Sequence, residues 1–258
     1  MRGASLRSEL AIPFPEACGR GLRIAVIDTG VNVQHPHICA RTRGVVPDGD
    51  PGESWDDALG HGTAVMAAIQ EKAPGAEYTA VKLFGPSLRS TNARLMRALA
   101  WAIENRFDIV NLSLGTANLE CRTQLQAFVD CAAKAGMILV AARRAGDQPV
   151  LPGILPGVIG VDVDWDLPRD CYRIEQCEGE TRFFASGYPR PLPGKAPARN
   201  LNGISFAVAN MTGFVACACE GLPEHSFDAV RDTLITETLR PPLSKLGFAA
   251  KIRPSFKE

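Results

Sequence analysis

Short apolar runs recur along this chain, each followed by a stretch with helical patterning, and that alternation limits the fold more than any other feature. Residues 23–27, 78–84, 108–114, 137–142 and 158–163 are runs of five to seven mostly apolar residues. A shorter run covers 181–185. Residues 61–73 have helical composition and stop at Pro74-Gly75. Ser90-Thr91 offers an N-cap for a helix to about Asn105, with Leu95, Leu99 and Ile103 spaced to line one face. Further helices are predicted over about 121–135, 205–219 and 226–239. Strands that read apolar throughout, rather than alternating with polar residues, are buried on both faces. Strand-helix alternation of this kind predicts βαβ units, a mostly parallel sheet and helices on both sides. Residues 1–20 read as an irregular arm and 21–258 as one domain. Residues 40–58 and 187–197, rich in Gly, Pro and charged or polar residues, read as loops within it.

Composition narrows the function classes. Lysine plus arginine and aspartate plus glutamate both number 28 among 258 residues, so the formal net charge is zero. A neutral chain lacks the electrostatic footprint of a nucleic-acid binder. No apolar run approaches the roughly 20 residues that cross a bilayer, and the first 21 residues hold no apolar stretch of secretory-leader length. The expectation is a cytoplasmic protein that binds neither membrane nor nucleic acid. The eight cysteines fit reduced thiols in that compartment, and their spacings do not match a zinc site. Oligomeric state is not legible.

Three short motifs sit where such a fold places chemistry. Asp28-Thr29-Gly30 follows the first strand, His61-Gly62-Thr63 opens a helix, and Gly203-Ile204-Ser205-Phe206-Ala207 opens another. Strand ends and helix starts of an α/β sheet converge above its carboxyl edge. A serine hydroxyl is a weak nucleophile until a neutral imidazole accepts its proton, and a carboxylate fixes the tautomer of that imidazole and stabilises its charged form. A helix start at Ser205 adds free backbone N–H groups and a partial positive charge beside a developing oxyanion. Each motif alone is weak, and Asp-Thr-Gly also occurs in aspartic proteases. Of His35, His37, His61 and His225, only His61 opens a helix.

Taken in order, these motifs and their flanks resemble the subtilisin-like (S8) serine proteases. IAVIDTGVNVQHPHI at 24–38, LGHGTAVMAA at 59–68, AWAIENRFDIVNLSLG at 100–115, LPGILPGVIGVDV at 151–163 and NGISFAVANMTGFVA at 202–216 are similar to successive family segments. The resemblance implies a three-layer αβα fold around a mostly parallel sheet. It also implies peptide or protein substrates, with Ser205 as nucleophile, His61 as general base and acid, and Asp28 as the orienting carboxylate. Ser113, Leu114 and Gly115 match the segment that pairs with the substrate backbone. No cofactor is implied. Calcium binding occurs in the family, but the sequence identifies no ligands for it, and no metal site is assigned.

Two departures stand out. The family supplies an asparagine amide to the oxyanion hole, and matching Ala145-Gly146-Asp147 to its Ala-Gly-Asn pattern puts Asp147 there, beside Ser205; a gapless count would put Ala145 there instead. Either choice removes a donor whose loss costs about 10²–10³ in turnover. Only 27 residues precede Asp28, fewer than the family's folding pro-domain needs, which suggests unaided folding or a different maturation. The function expected is a specialised intracellular peptide-processing endopeptidase, and the alternative is a weakened pseudoprotease that holds peptides.

Overall fold

A computed structural model describes residues 12–47, 49, 53–85, 90–177, 179–196 and 199–239. Most of the predicted arm, 1–11, and the last 19 residues of the predicted domain lie outside them.

The apolar runs form the strands. β1 (Arg23–Asp28), β2 (Thr42–Val45), β3 (Glu77–Lys82), β4 (Ile109–Leu112), β5 (Ile138–Ala142), β8 (Val158–Val163), β9 (Tyr172–Cys177) and β10 (Glu180–Ala185) make one sheet in the order β2-β3-β1-β4-β5-β8-β10-β9. Every pairing is parallel except β9 with β10. Helices α1 (His61–Gln70), α2 (Asn92–Glu104), α3 (Arg122–Lys134), α4 (Ile204–Glu220) and α5 (Phe227–Thr238) supply the outer layers.

Side chains of β1 show why both faces must be apolar. Ile24 and Val26 enter one core, with Val65, Met66 and Ile69 of α1, most of α4, and Val230 and Leu234 of α5. Ala25 and Ile27 enter the other, with Leu95 and Leu99 of α2 and Leu125 and Val129 of α3. The three-layer αβα arrangement is therefore as expected. Phe206 to Cys219 of α4 are buried without a break, because that helix packs on the sheet and also against α1 and α5. Local capping agrees with the sequence: Thr91 accepts from the Arg94 N–H at 3.2 Å, and Ser226 accepts from the Ala229 N–H at 3.2 Å.

Three strand features depart from the sequence reading. β2 lies inside the segment read as a loop, because Thr-Arg-Gly-Val is a short edge strand whose signal comes from its neighbour β3. β9 is an exposed edge strand, paired antiparallel, and carries little apolar patterning. Residues 144–149 form a small hairpin of β6 (Arg144–Ala145) and β7 (Gln148–Pro149). None of the eight cysteines is joined in a disulfide. Among the described residues, no helix is long and apolar enough to cross a membrane.

Candidate active site

Parallel pairing puts the carboxyl ends of β1, β3, β4 and β5 on one edge of the sheet. Asp28 is the last residue of β1, and Ser113 lies just past β4 on that edge. The helix starts carrying His61 and Ser205 come to the same edge. His61 Nδ1 lies 2.7 Å from Asp28 Oδ1. The carboxylate is nearly sealed from solvent, while the imidazole is partly open, with side-chain exposures of 2% and 18%. Asp28 Oδ1 also accepts from the Thr29 N–H at 2.8 Å. Burial opposes protonation of His61. The Asp28 hydrogen bond and charge, helped by the charge of Asp57, outweigh it and hold the imidazole pKa above its ordinary value. With Nδ1 committed to Asp28, Nε2 is the nitrogen left for proton transfer.

Two glycines make this approach feasible, each for a different reason. At Gly62 a Cβ would stand 2.3 Å from the Gly30 carbonyl oxygen and 3.2 Å from Asp28 Oδ1, so the helix start reaches the Asp28 turn only without a side chain. At Gly203 a Cβ would meet nothing within 4 Å. That position requires glycine because its φ is +146°.

Ser205 sits in the first turn of α4, where backbone N–H groups lack intrahelical partners. Its hydroxyl donates to the Ser113 carbonyl at 3.2 Å, and the Ser113 hydroxyl donates to the Ser205 carbonyl at 3.1 Å. Behind this reciprocal pair, the Asn111 amide donates to Ser113 Oγ at 2.9 Å and its oxygen lies 2.9 Å from the Thr212 hydroxyl. Asn111 is fully buried. Its partners are side chains that join β4 to α4 and fix the register of Ser205 against Ser113.

His61, Ser205, Ser113, Leu114 and Gly115 line one cleft of about 340 Å³, with Leu83 and Leu95 giving it apolar walls. Asp147 is not among the residues lining this cleft. It occupies the exposed turn of the β6-β7 hairpin, where its carbonyl accepts from Arg144 Nη1 at 3.3 Å. The two residues by which the Asp147 and Ala145 alignments differ are taken up in that hairpin. Arg143 pairs with Asp162 at 3.4 Å and Glu180 at 2.6 Å. Among the described residues no group of three or more His, Cys, Asp or Glu is placed to hold a metal ion.

Asp57 was not singled out from sequence, yet it touches both motif loops. It accepts from the Thr29 hydroxyl at 2.7 Å and from the Thr63 N–H at 2.8 Å. A faint signal exists, since it is an acid four residues before a helix-opening histidine.

The sequence profile of the subtilase family, Peptidase_S8, matches residues 19–154. Subtilisin BL of Lederbergia lenta is 35% identical over 229 residues, covering 84% of this chain and 82% of that protein. A solved lanthipeptide protease superposes with a TM-score of 0.63 at 18% identity, covering 82% of this chain and 78% of that one. The prenylagaramide maturation protease PagA superposes with a TM-score of 0.59 at 25% identity, covering 77% and 75%. A profile matched over more than half the sequence, together with a relative this similar along most of both lengths, establishes that the chain belongs to the subtilase family of serine proteases.

Proposed function

We propose that this chain is an endopeptidase that cuts peptide bonds through Asp28, His61 and Ser205, and that it trims a precursor peptide inside the cell. The carrying observation is the 2.7 Å contact of His61 with Asp28 at the mouth of the cleft that also holds Ser205. An extended peptide lies along Ser113–Gly115 and pairs with that backbone. A peptide N–H then takes the Ser113 carbonyl that the Ser205 hydroxyl now occupies, and rotation about the Ser205 Cα–Cβ bond turns the hydroxyl toward Nε2 of His61. Ser205 Oγ attacks the scissile carbonyl as its proton passes to His61. Asp28 stabilises the imidazolium, and the Ser205 N–H at the start of α4 donates to the oxyanion. His61 returns the proton to the leaving amine, which departs and leaves an acyl-enzyme. Water, deprotonated by His61, hydrolyses that ester.

An aspartate at 147, unlike the asparagine of the family pattern, brings no amide donor to the oxyanion. Slow turnover on a narrow substrate set is consistent with this and with the processing role of two structural neighbours, a lanthipeptide protease and a maturation protease. A reducing cytoplasm suits eight cysteines with no disulfide among them.

The Ser205-to-Ser113 hydrogen bond also favours a second reading, in which the cleft holds peptides without cutting them. A fluorophosphonate probe separates the two. Labelling of the wild type, loss of labelling in Ser205→Ala, and an adduct located on Ser205 by mass spectrometry are expected. Folded wild-type protein that binds peptide but stays unlabelled, beside a labelled control subtilisin, would overturn the enzymatic reading.

A further inference from the structure

We propose that Asp57 is a positioning residue for the His61–Asp28 pair, its carboxylate locking the turn that carries Asp28 to the helix end that carries His61. The inference rests on the reading of those two residues as the proton relay.

Helix α1 has no local side-chain cap, because Gly60 stands at its N-cap. Its first N–H groups are satisfied from elsewhere. Gly62 donates to Thr29 Oγ1 at 2.8 Å, and Thr63 donates to Asp57 Oδ2 at 2.8 Å. Among the described residues Asp57 accepts five hydrogen bonds. Oδ1 takes the Thr29 hydroxyl at 2.7 Å, the Leu59 N–H at 3.1 Å and the Gly60 N–H at 2.8 Å. Oδ2 takes the Thr63 N–H at 2.8 Å and the Thr63 hydroxyl at 2.7 Å. The donors come from three places: the residue after Asp28, the loop itself, and the third residue of the histidine helix. Thr29 and Thr63 each pass the restraint on, since Thr29 Oγ1 accepts from Gly62 and Thr63 Oγ1 accepts from the Asn32 N–H at 3.0 Å. The Asp28 turn and the His61 turn are thus held against one carboxylate from both sides.

That carboxylate is also a fixed charge. Burial favours its neutral form, but the hydrogen bonds from Thr63, Thr29 and Gly60 outweigh burial and hold its pKa below the ordinary carboxylate range. It therefore stays ionised at neutral pH. Together with Asp28, it favours the imidazolium that forms on His61 during proton transfer. A helix cap alone would supply stability and nothing more. A positioning residue also alters turnover and the titration of the imidazole it orients.

Asp57→Asn keeps the side chain's size and removes its charge. In folded Asp57→Asn, kcat is expected to fall about 10–100-fold, the scale set by small misplacements of reacting groups. KM should stay within about threefold, because ground-state peptide contacts are untouched. The midpoint of the His61 ring titration, followed by NMR in a Ser205→Ala background, should move to lower pH. Thr29→Val removes both hydrogen bonds of that hydroxyl, to Asp57 and from Gly62, and leaves the charge, so kcat should fall while the midpoint stays. Folded Asp57→Asn with kcat within about twofold and an unmoved midpoint would overturn the inference. If Asp57→Asn does not fold, unchanged turnover in Thr29→Val overturns it. Failure of the enzymatic reading is recognised separately, by unlabelled wild type, and the His61 titration then still decides the role of Asp57.

Discussion

Gly62→Ala is the smallest change that tests the geometry of the site. The added Cβ would lie 2.3 Å from the Gly30 carbonyl oxygen, about 0.7 Å inside the closest approach real Cβ atoms show. The Gly30 turn is itself anchored, because the Val31 N–H donates to the Trp55 carbonyl at 3.2 Å. The first turn of α1 must therefore move outward by most of the overlap. That motion stretches the 2.8 Å Gly62-to-Thr29 hydrogen bond and the 2.7 Å His61-to-Asp28 contact together. Overpacking of this kind costs about 1–3 kcal/mol. A weakened hydrogen bond adds about 1 kcal/mol. The better helix propensity of alanine returns at most about 1 kcal/mol. The net loss of about 1–3 kcal/mol corresponds to a fall in Tm of several degrees, at about 2–4 °C per kcal/mol for a chain this size. Displacement of the imidazole by most of an ångström costs about 100-fold in kcat. Differential scanning calorimetry and turnover of a fluorogenic peptide measure the two effects. A variant with wild-type Tm and wild-type kcat would show that the helix start is not wedged against the Asp28 turn, and the account of the site would fail with it.

The remaining predictions concern protons. Catalysis needs neutral His61, and its pKa is raised, so activity should fall on acidification through a midpoint above the ordinary imidazole value of about 6.5; an acid limb at or below that value in kcat/KM would contradict the Asp28 and Asp57 contributions. The Lys72 side chain is 9% exposed, donates to Asn210 Oδ1 at 2.6 Å, and has its pKa lowered by desolvation from 10.5 to about 8. Between those two values the folded chain holds fewer protons than the unfolded one, so stability rises with pH across that window. Wild type should gain on Lys72→Met by up to about 3 kcal/mol as pH rises from 7 to about 10, read from urea unfolding. A stability difference that does not change with pH would refute the charged burial of this amine.

The unbroken apolar strands and their helical spacers were enough to specify a parallel sheet covered on both faces, because burial on two sides leaves no polar alternation. The order Asp28, His61, Ser205 at strand ends and helix starts was also legible, since those positions converge in any sheet wound this way. Pairing strands by neighbour was not legible: β2 and β9 carry weak patterning and exist because β3 and β10 offer them an edge. Asp147 illustrates the limit of counting along a chain, because whether two extra residues lengthen a strand end or fold out as a hairpin depends on what the backbone finds to bond with. Asn111 and Thr212, 101 positions apart, and Asp57 and Thr29, 28 apart, are joined by hydrogen bonds that no local pattern announces. Local sequence determines which residues are apolar, which start a helix and which turn the chain. Only the packed structure decides which buried polar groups must find each other, because that need arises when water is excluded and the partners are whatever the fold has brought within reach.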